Sequence, residues 1–223
     1  MPRSVFEIIG PAMIGPSSSH TAGAVRIGLL ARHLLGNAPR SATVSLHGSF
    51  AATSQGHATD RGIAAGILGW PPDDERLKNS LSEAATLGID IRFQTADLGD
   101  SVHPNSARLE LQDSAGLTLD LIASSIGGGS IESSAIDGFP IRLEATLNTL
   151  VLWHEDQSGF LARVTSVLAC VEANIATIRT ARTGRGAEAL TVVELDAAPP
   201  PEVPALLAKT RYVSRLRLLP PLP

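Results

Sequence analysis

From residue 148 onward the hydrophobic period changes repeatedly, in an order that few architectures can satisfy. Residues 148–154 form an apolar run of strand length. Phe160, Val164, Val167, Leu168 and Val171 then recur at helical spacing, which predicts a helix over 159–173. A second strand is expected over 175–183. Gly184-Arg185-Gly186 turns the chain back into a third over 189–195. After Pro199-Pro200-Pro201, a short helix over 202–209 and a last strand over 212–219 complete the order βαββαβ, a ferredoxin-like unit.

The preceding stretch reads differently, being rich in Gly, Ser and His. A loop over 11–21 leads into a helix over 22–35. Val25, Leu29 or Leu30, and Leu34 mark its apolar face, and Gly36-Asn37-Ala38-Pro39 stops it. A short strand is expected over 42–46. Thr59 or Asp60 is placed to cap a second helix running to 68, and 73–87 reads as a third with an acidic first turn. A strand follows over 89–94. Segments 107–111 and 117–124 flank Asp113-Ser114-Ala115-Gly116, a hairpin signal. Gly127-Gly128-Gly129 marks a flexible or tight-backbone segment. The expectation is an α/β (α+β) chain of two domains, a mixed α/β domain over 1–145 and the βαββαβ domain over 148–223.

Composition narrows the function classes. At 43% hydrophobic and 18% charged, the 223 residues have material for a packed core. A net charge of −4 and 4% aromatics give no electrostatic or stacking case for nucleic acid, and no attraction to an anionic membrane. There is no apolar run long enough to span a bilayer and no signal-peptide core, so a soluble cytoplasmic protein is expected. The lone cysteine, Cys170, excludes an internal disulfide and is expected to be a buried helix residue.

Three segments carry candidate chemistry. Gly15-Pro16-Ser17-Ser18-Ser19-His20-Thr21-Ala22-Gly23 places small hydroxyls directly before a helix. Ser17, Ser18, Ser19 and Thr21, with the free N–H groups of the first turn, suit a carboxylate or phosphate. His20 adds a group that moves protons near neutral pH. The same run also reads as a serine-rich cap beside a surface histidine. Gly56-His57-Ala58-Thr59-Asp60-Arg61 again sets a histidine beside capping side chains, near Gly48-Ser49-Phe50 at a strand end; its plain alternative is an ordinary strand–loop–helix joint. In His103-Pro104-Asn105-Ser106 the proline confines His103 to extended backbone and so fixes where its ring points, or the segment is simply a turn before a strand. In the second region, Asp156 and Gly159 shape a loop that either binds a small effector at a helix start or merely joins strand to helix.

Other chemistries fit less well. His20, His57 and His103 are three nitrogen donors, the number in many catalytic zinc sites, but no two of the six histidines stand at close ligand spacing within one element. There is no Gly-x-Ser-x-Gly elbow for a hydrolase. Pyridoxal phosphate needs a lysine; the two present, Lys78 and Lys209, fall in helices away from the Gly/Ser/His loops.

The segments from Ser4-Val5-Phe6 through Gly15-Pro16-Ser17-Ser18-Ser19-His20-Thr21-Ala22-Gly23 strongly resemble the opening of the β chain of bacterial iron–sulfur-dependent L-serine dehydratases. Gly48-Ser49-Phe50, Gly56-His57-x-Thr59-Asp60, His103-Pro104-Asn105 and Gly127-Gly128-Gly129-Ser130-Ile131 follow the same pattern in the same order. One departure is Ala58, where the family pattern has glycine. The first region also resembles the allosteric-substrate-binding domain of some 3-phosphoglycerate dehydrogenases, and the second is similar to an ACT domain. The resemblance implies conversion of L-serine to pyruvate and ammonia at a [4Fe–4S] cluster. Cys170 alone cannot supply the thiolates of such a cluster, so the resemblance implies a separate cysteine-bearing α subunit. It implies catalytic roles for His57, His20 and His103, with Ser17, Ser18, Ser19, Thr21, Thr59 and Asn105 binding substrate. It further implies effector binding or self-association through the ACT-like domain. The alternative is a purely regulatory module that binds a small anion or amino acid.

Overall fold

The structure, a computed structural model, describes residues 12–54 and 56–223. The Ser4-Val5-Phe6 part of the resemblance and Pro11 of the expected opening loop lie outside the described residues. The chain divides into two compact units, one running to Gly138 together with Pro223, the other Phe139–Leu222.

In the first unit a π-helical turn, Ser18–Ala22, runs straight into α1, Gly23–Leu35. Strand β1, Pro39–His47, is followed at once by the short helix α2, Gly48–Thr53, and then by α3, Thr59–Ile67. A 3-10 turn, Glu75–Asn79, leads into α4, Ser80–Thr86. Strands β2 (Asp90–Thr95), β3 (Asn105–Asp113), β4 (Thr118–Gly127) and β5 (Ser130–Ile136) complete a sheet of order β2-β1-β3-β4-β5. Only the β1–β2 pair is parallel.

Period-2 alternation decides which face is buried. Val44, Leu109 and Leu121 form one cross-strand row, with Ala42, Leu111 and Leu119 in the next, and all are buried. The opposite face carries charge, where Arg108 pairs with Asp120 at 2.9 Å and with Glu110 at 3.2 Å. Helices α1 and α3 cross at backbone contact. A Cβ on Gly66 would stand 2.1 Å from the Val25 carbonyl oxygen, so no larger residue fits at that crossing.

The second unit follows the expected order. Its elements are β6 (Asn148–Glu155), α5 (Phe160–Cys170), β7 (Ile175–Arg182), β8 (Glu188–Leu195), α6 (Glu202–Ala208) and β9 (Val213–Leu219). The sheet order is β7-β8-β6-β9, entirely antiparallel, which is the ferredoxin-like arrangement. Leu150, Leu152, Val193 and Leu195 on one sheet face meet Phe160, Val164 and Leu168 of α5 and Val203 and Leu207 of α6. His154 is 5% exposed and lies flat on Phe160, ring centroids 3.6 Å apart. Its Nδ1 donates to the Glu155 carbonyl at 2.7 Å, so the neutral ring accepts the Thr191 hydroxyl at Nε2, 2.8 Å away.

Four expectations are corrected. Cys170 is exposed, because α5 buries Phe160, Val164 and Leu168 at a spacing of four, and Cys170 falls off that stripe at the last helical position. The same helix stops short of 173, leaving Val171 exposed. The helix expected over 73–87 is broken, since the Asp74 carboxylate caps the N–H of Arg76 and starts a 3-10 turn before α4. Neither Thr59 nor Asp60 caps α3: its first residue is Thr59, preceded by Ala58 in the left-handed region, and the Asp60 carboxylate takes the Arg61 N–H instead.

Candidate functional site

The three histidine-bearing segments of the first unit gather at one end of its sheet. The C-terminal end of β1 faces the N-terminal end of β3, with His47 paired to Ser106, and Ser106 faces Ser124 near the end of β4. The hydroxyls of Ser106 and Ser124 are 2.6 Å apart, and Ser106 donates to the His103 carbonyl at 2.5 Å. The loops that carry His57 and His103 open from this end, whereas the Asp113–Gly116 hairpin lies at the other.

The Ser17–Gly23 turn is wound around its own hydroxyls. Ser17 Oγ accepts the His20 N–H at 3.2 Å, and the Thr21 N–H reaches the Ser17 carbonyl at 2.8 Å. The Gly23 N–H bonds to the Ser18 carbonyl, a π-type spacing that widens the turn. Ser17, Ser18, Ser19 and His20 are half-buried on its outer side. Thr21 is fully buried, and its hydroxyl donates to the His57 carbonyl at 3.0 Å. It ties the second histidine loop to the first.

That tie brings two imidazoles together, with the His20 and His57 ring centroids 5.2 Å apart. His20 also meets the edge of Phe50 at 5.5 Å, and its Nε2 lies 3.1 Å from Ser49 Oγ. Burial first, and the neighbouring His57 second, hold the His20 imidazole below its ordinary pKa. His20 is therefore neutral at pH 7 and able to accept or donate a proton. His57 is exposed beside an open groove lined by Ala51, Ala52, Thr53, Ser54 and Gly56.

His103 is exposed on the β2–β3 loop, with Nδ1 accepting the Asn105 N–H at 3.1 Å, so its neutral ring carries the hydrogen on Nε2. It reaches the His20 cluster through the next residue, because the Pro104 carbonyl accepts the N–H groups of Ser49 at 2.8 Å and Phe50 at 3.4 Å. Asn105 is half-buried and bridges to Gly48. Thr59 is fully buried, its hydroxyl without a partner, as is that of Ser125 beneath Gly23. The glycine run Gly127-Gly128-Gly129 is a tight turn, left-handed at all three residues, and its Gly129 carbonyl accepts Arg26 at 2.8 Å.

In the second unit the Asp156 carboxylate pairs with Arg182 at 2.6 Å and takes the Gly186 N–H at 3.3 Å. The Arg182 hydrogen bond, then that of Gly186, pulls its pKa down. Gly159 precedes α5 with φ of 79°.

Sequence reasoning quoted Ser49 and Phe50 only as a pattern; their contacts with His20 depend on α2, which sequence did not reveal. His47 was overlooked. Its Nδ1 accepts the Leu98 N–H at 3.2 Å and so anchors the loop that carries His103. The available signal was a histidine at the last position of a strand.

Among the described residues no grouping of His, Cys, Asp and Glu is arranged to hold a metal. The chain's one cysteine, exposed in the other unit, does not fit an iron–sulfur cluster. No helix among the described residues is long and apolar enough to cross a membrane.

The hydroxyls and imidazoles of this site all lie within a stretch of sequence that matches a described family. The family model "Serine dehydratase beta chain" matches residues 4–135, and the chain belongs to that family. It is 46% identical over 194 residues to the "Probable L-serine dehydratase, beta chain" of Bacillus subtilis (strain 168), covering 87% of each. It is 40% identical over 193 residues to the "L-serine dehydratase, beta chain" of Peptoniphilus asaccharolyticus, covering 86% of this chain and 87% of that one. Among solved structures, the ACT domain from GTP pyrophosphokinase of Chlorobium tepidum covers 32% of this chain and 95% of its own length. The two are 17% identical, with a TM-score of 0.27.

Proposed function

We propose that this chain is the β subunit of a two-chain L-serine dehydratase, which converts L-serine to pyruvate and ammonia. Relatives carrying the beta-chain name and matched over 87% of their length support it. The observation that carries it is the gathering of His20, His57, Ser17, Ser49 and the His103 loop at one sheet end.

The reaction removes the α-proton of serine and expels its β-hydroxyl as water. The aminoacrylate that remains tautomerises to an imine, and water hydrolyses the imine to pyruvate and ammonia. The α-proton needs a base, and the departing hydroxyl needs a proton. A neutral imidazole can take the first proton, and the imidazolium so formed can give one to the hydroxyl. His57, exposed and paired with His20, is the first choice for proton transfer or for positioning serine, with His20 and His103 beside it. Ser18 and Ser19 on the outer side of the turn, with Asn105 at the start of β3, hold the carboxylate, while the Ser17 hydroxyl is engaged by His20 and shapes the turn that presents them. Thr21 acts from the interior, keeping the two histidine loops in register, and Thr59 is buried beside them with its hydroxyl unpaired. The [4Fe–4S] cluster belongs to a cysteine-bearing α subunit that docks over this surface, and the pair works in the cytoplasm.

The domain over 1–145 makes that contact. The 148–223 domain is an ACT domain that self-associates or binds an effector at the loop of Asp156 and Gly159. Anaerobic co-purification tests the central pairing. The tagged chain is expected to bring down a cysteine-rich partner with iron and sulfide in equal amounts. Recovery of the chain alone from cells expressing both contradicts it.

A further inference from the structure

Two hydroxyls bracket the His20 ring. Ser17 Oγ accepts the His20 backbone N–H at 3.2 Å and lies 3.4 Å from Nδ1, while Ser49 Oγ lies 3.1 Å from Nε2. A serine hydroxyl that accepts a backbone N–H keeps its own hydrogen to give. For Ser17 the ring acceptor in reach is Nδ1. A neutral imidazole that accepts at Nδ1 carries its hydrogen on Nε2 and donates it to Ser49 Oγ. Phe50, edge-on at 62°, limits rotation of the ring.

Ser49 is itself held from two sides. Its N–H donates to the Pro104 carbonyl at 2.8 Å, and its own carbonyl accepts the Thr53 hydroxyl at 2.7 Å. Its backbone is therefore fixed by the residue next to His103 and by the turn of α2 below it. A side chain on so constrained a backbone, one torsion from a histidine nitrogen, is suited to orient that ring rather than to react.

We propose that Ser49 is a positioning residue for His20, holding the ring in one orientation and in the tautomer with hydrogen on Nε2. The importance of this for turnover rests on the β-subunit reading above; the tautomer does not.

The test separates the two. In the full-length chain labelled with 15N-histidine, long-range 1H–15N spectra near neutral pH read the tautomer of each ring, with His20 assigned from a His20→Gln variant. The wild-type chain is expected to show His20 as a single Nε2–H tautomer. Ser49→Ala is expected to give a mixture, and Ser49→Thr to restore the single form. Ser17→Ala, which removes the donor to Nδ1, is expected to mix the tautomers from the other side. In the reconstituted pair, Ser49→Ala should lower kcat on the order of tenfold, the scale of one lost hydrogen bond, with KM little changed and with recovery in Ser49→Thr. An Nδ1–H tautomer in the wild-type chain, or a His20 spectrum unmoved by Ser49→Ala, overturns the proposal. A pair that is inactive with the wild-type chain overturns the β-subunit reading instead, and the spectra still decide the role of Ser49.

Discussion

The rings of His20 and His57 lie 5.2 Å apart and are tilted by 42°, held there by the Thr21 hydroxyl on the His57 carbonyl. A positive charge at His57 raises the cost of protonating His20. His57→Gln removes the like charge, so the His20 pKa is expected to rise while staying below the ordinary value, because burial is the larger cause. An NMR titration reads it, and an unmoved or lowered His20 midpoint contradicts the pairing. In the reconstituted enzyme, His57→Ala is expected to cut turnover on the order of a hundredfold or more. Full turnover removes His57 from the proton-transfer role.

Ala58 occupies a backbone conformation that favours glycine. Its φ of 58° and ψ of 31° lie in the left-handed region, which costs an alanine about 1–2 kcal/mol and a glycine almost nothing. Glycine loses part of that advantage in the unfolded chain. Ala58→Gly is expected to stabilise the protein by roughly 0.5–1 kcal/mol, seen as a higher urea midpoint at unchanged slope. A lower midpoint contradicts the strain.

His154 makes the second unit sensitive to acid. Burial lowers its pKa against smaller opposing effects from the Glu155 carbonyl and Asp156. With the folded pKa below the unfolded one, the unfolded chain binds the extra proton. The stability linked to this residue is therefore full above the unfolded value of about 6.5 and is lost as pH falls below it toward the folded value. His154→Gln is expected to flatten the loss of chemical stability across that window. A slope unchanged by the substitution means that other groups carry it.

Legibility in the sequence followed how local the determining interactions are. All six elements of the second unit were readable because their apolar spacing is local, as with Phe160, Val164 and Leu168 on α5, and this held even for β7, which buries none of its residues fully. In the first unit, β5 was hidden behind the glycine run. Its buried residues include Ser133 as well as Ile131 and Ile136, which weakens the apolar alternation. Helix α2 was invisible because six residues do not make a stable helix alone. It is fastened by the Pro104 carbonyl, far along the chain. The same distance hid the site's second layer. The motifs named His20, His57 and His103, while the partners that orient them, Ser49, Phe50 and His47, come from chain crossings. Thr21 and Thr59 turned out to face inward for the same reason.

The most direct measurement is pyruvate formation from L-serine by this chain co-expressed anaerobically with a cysteine-bearing partner. Activity in the pair, absent from either chain alone and lost on exposure to air, is the predicted result. A stable pair that carries its iron–sulfur cluster yet makes no pyruvate from L-serine would contradict the account.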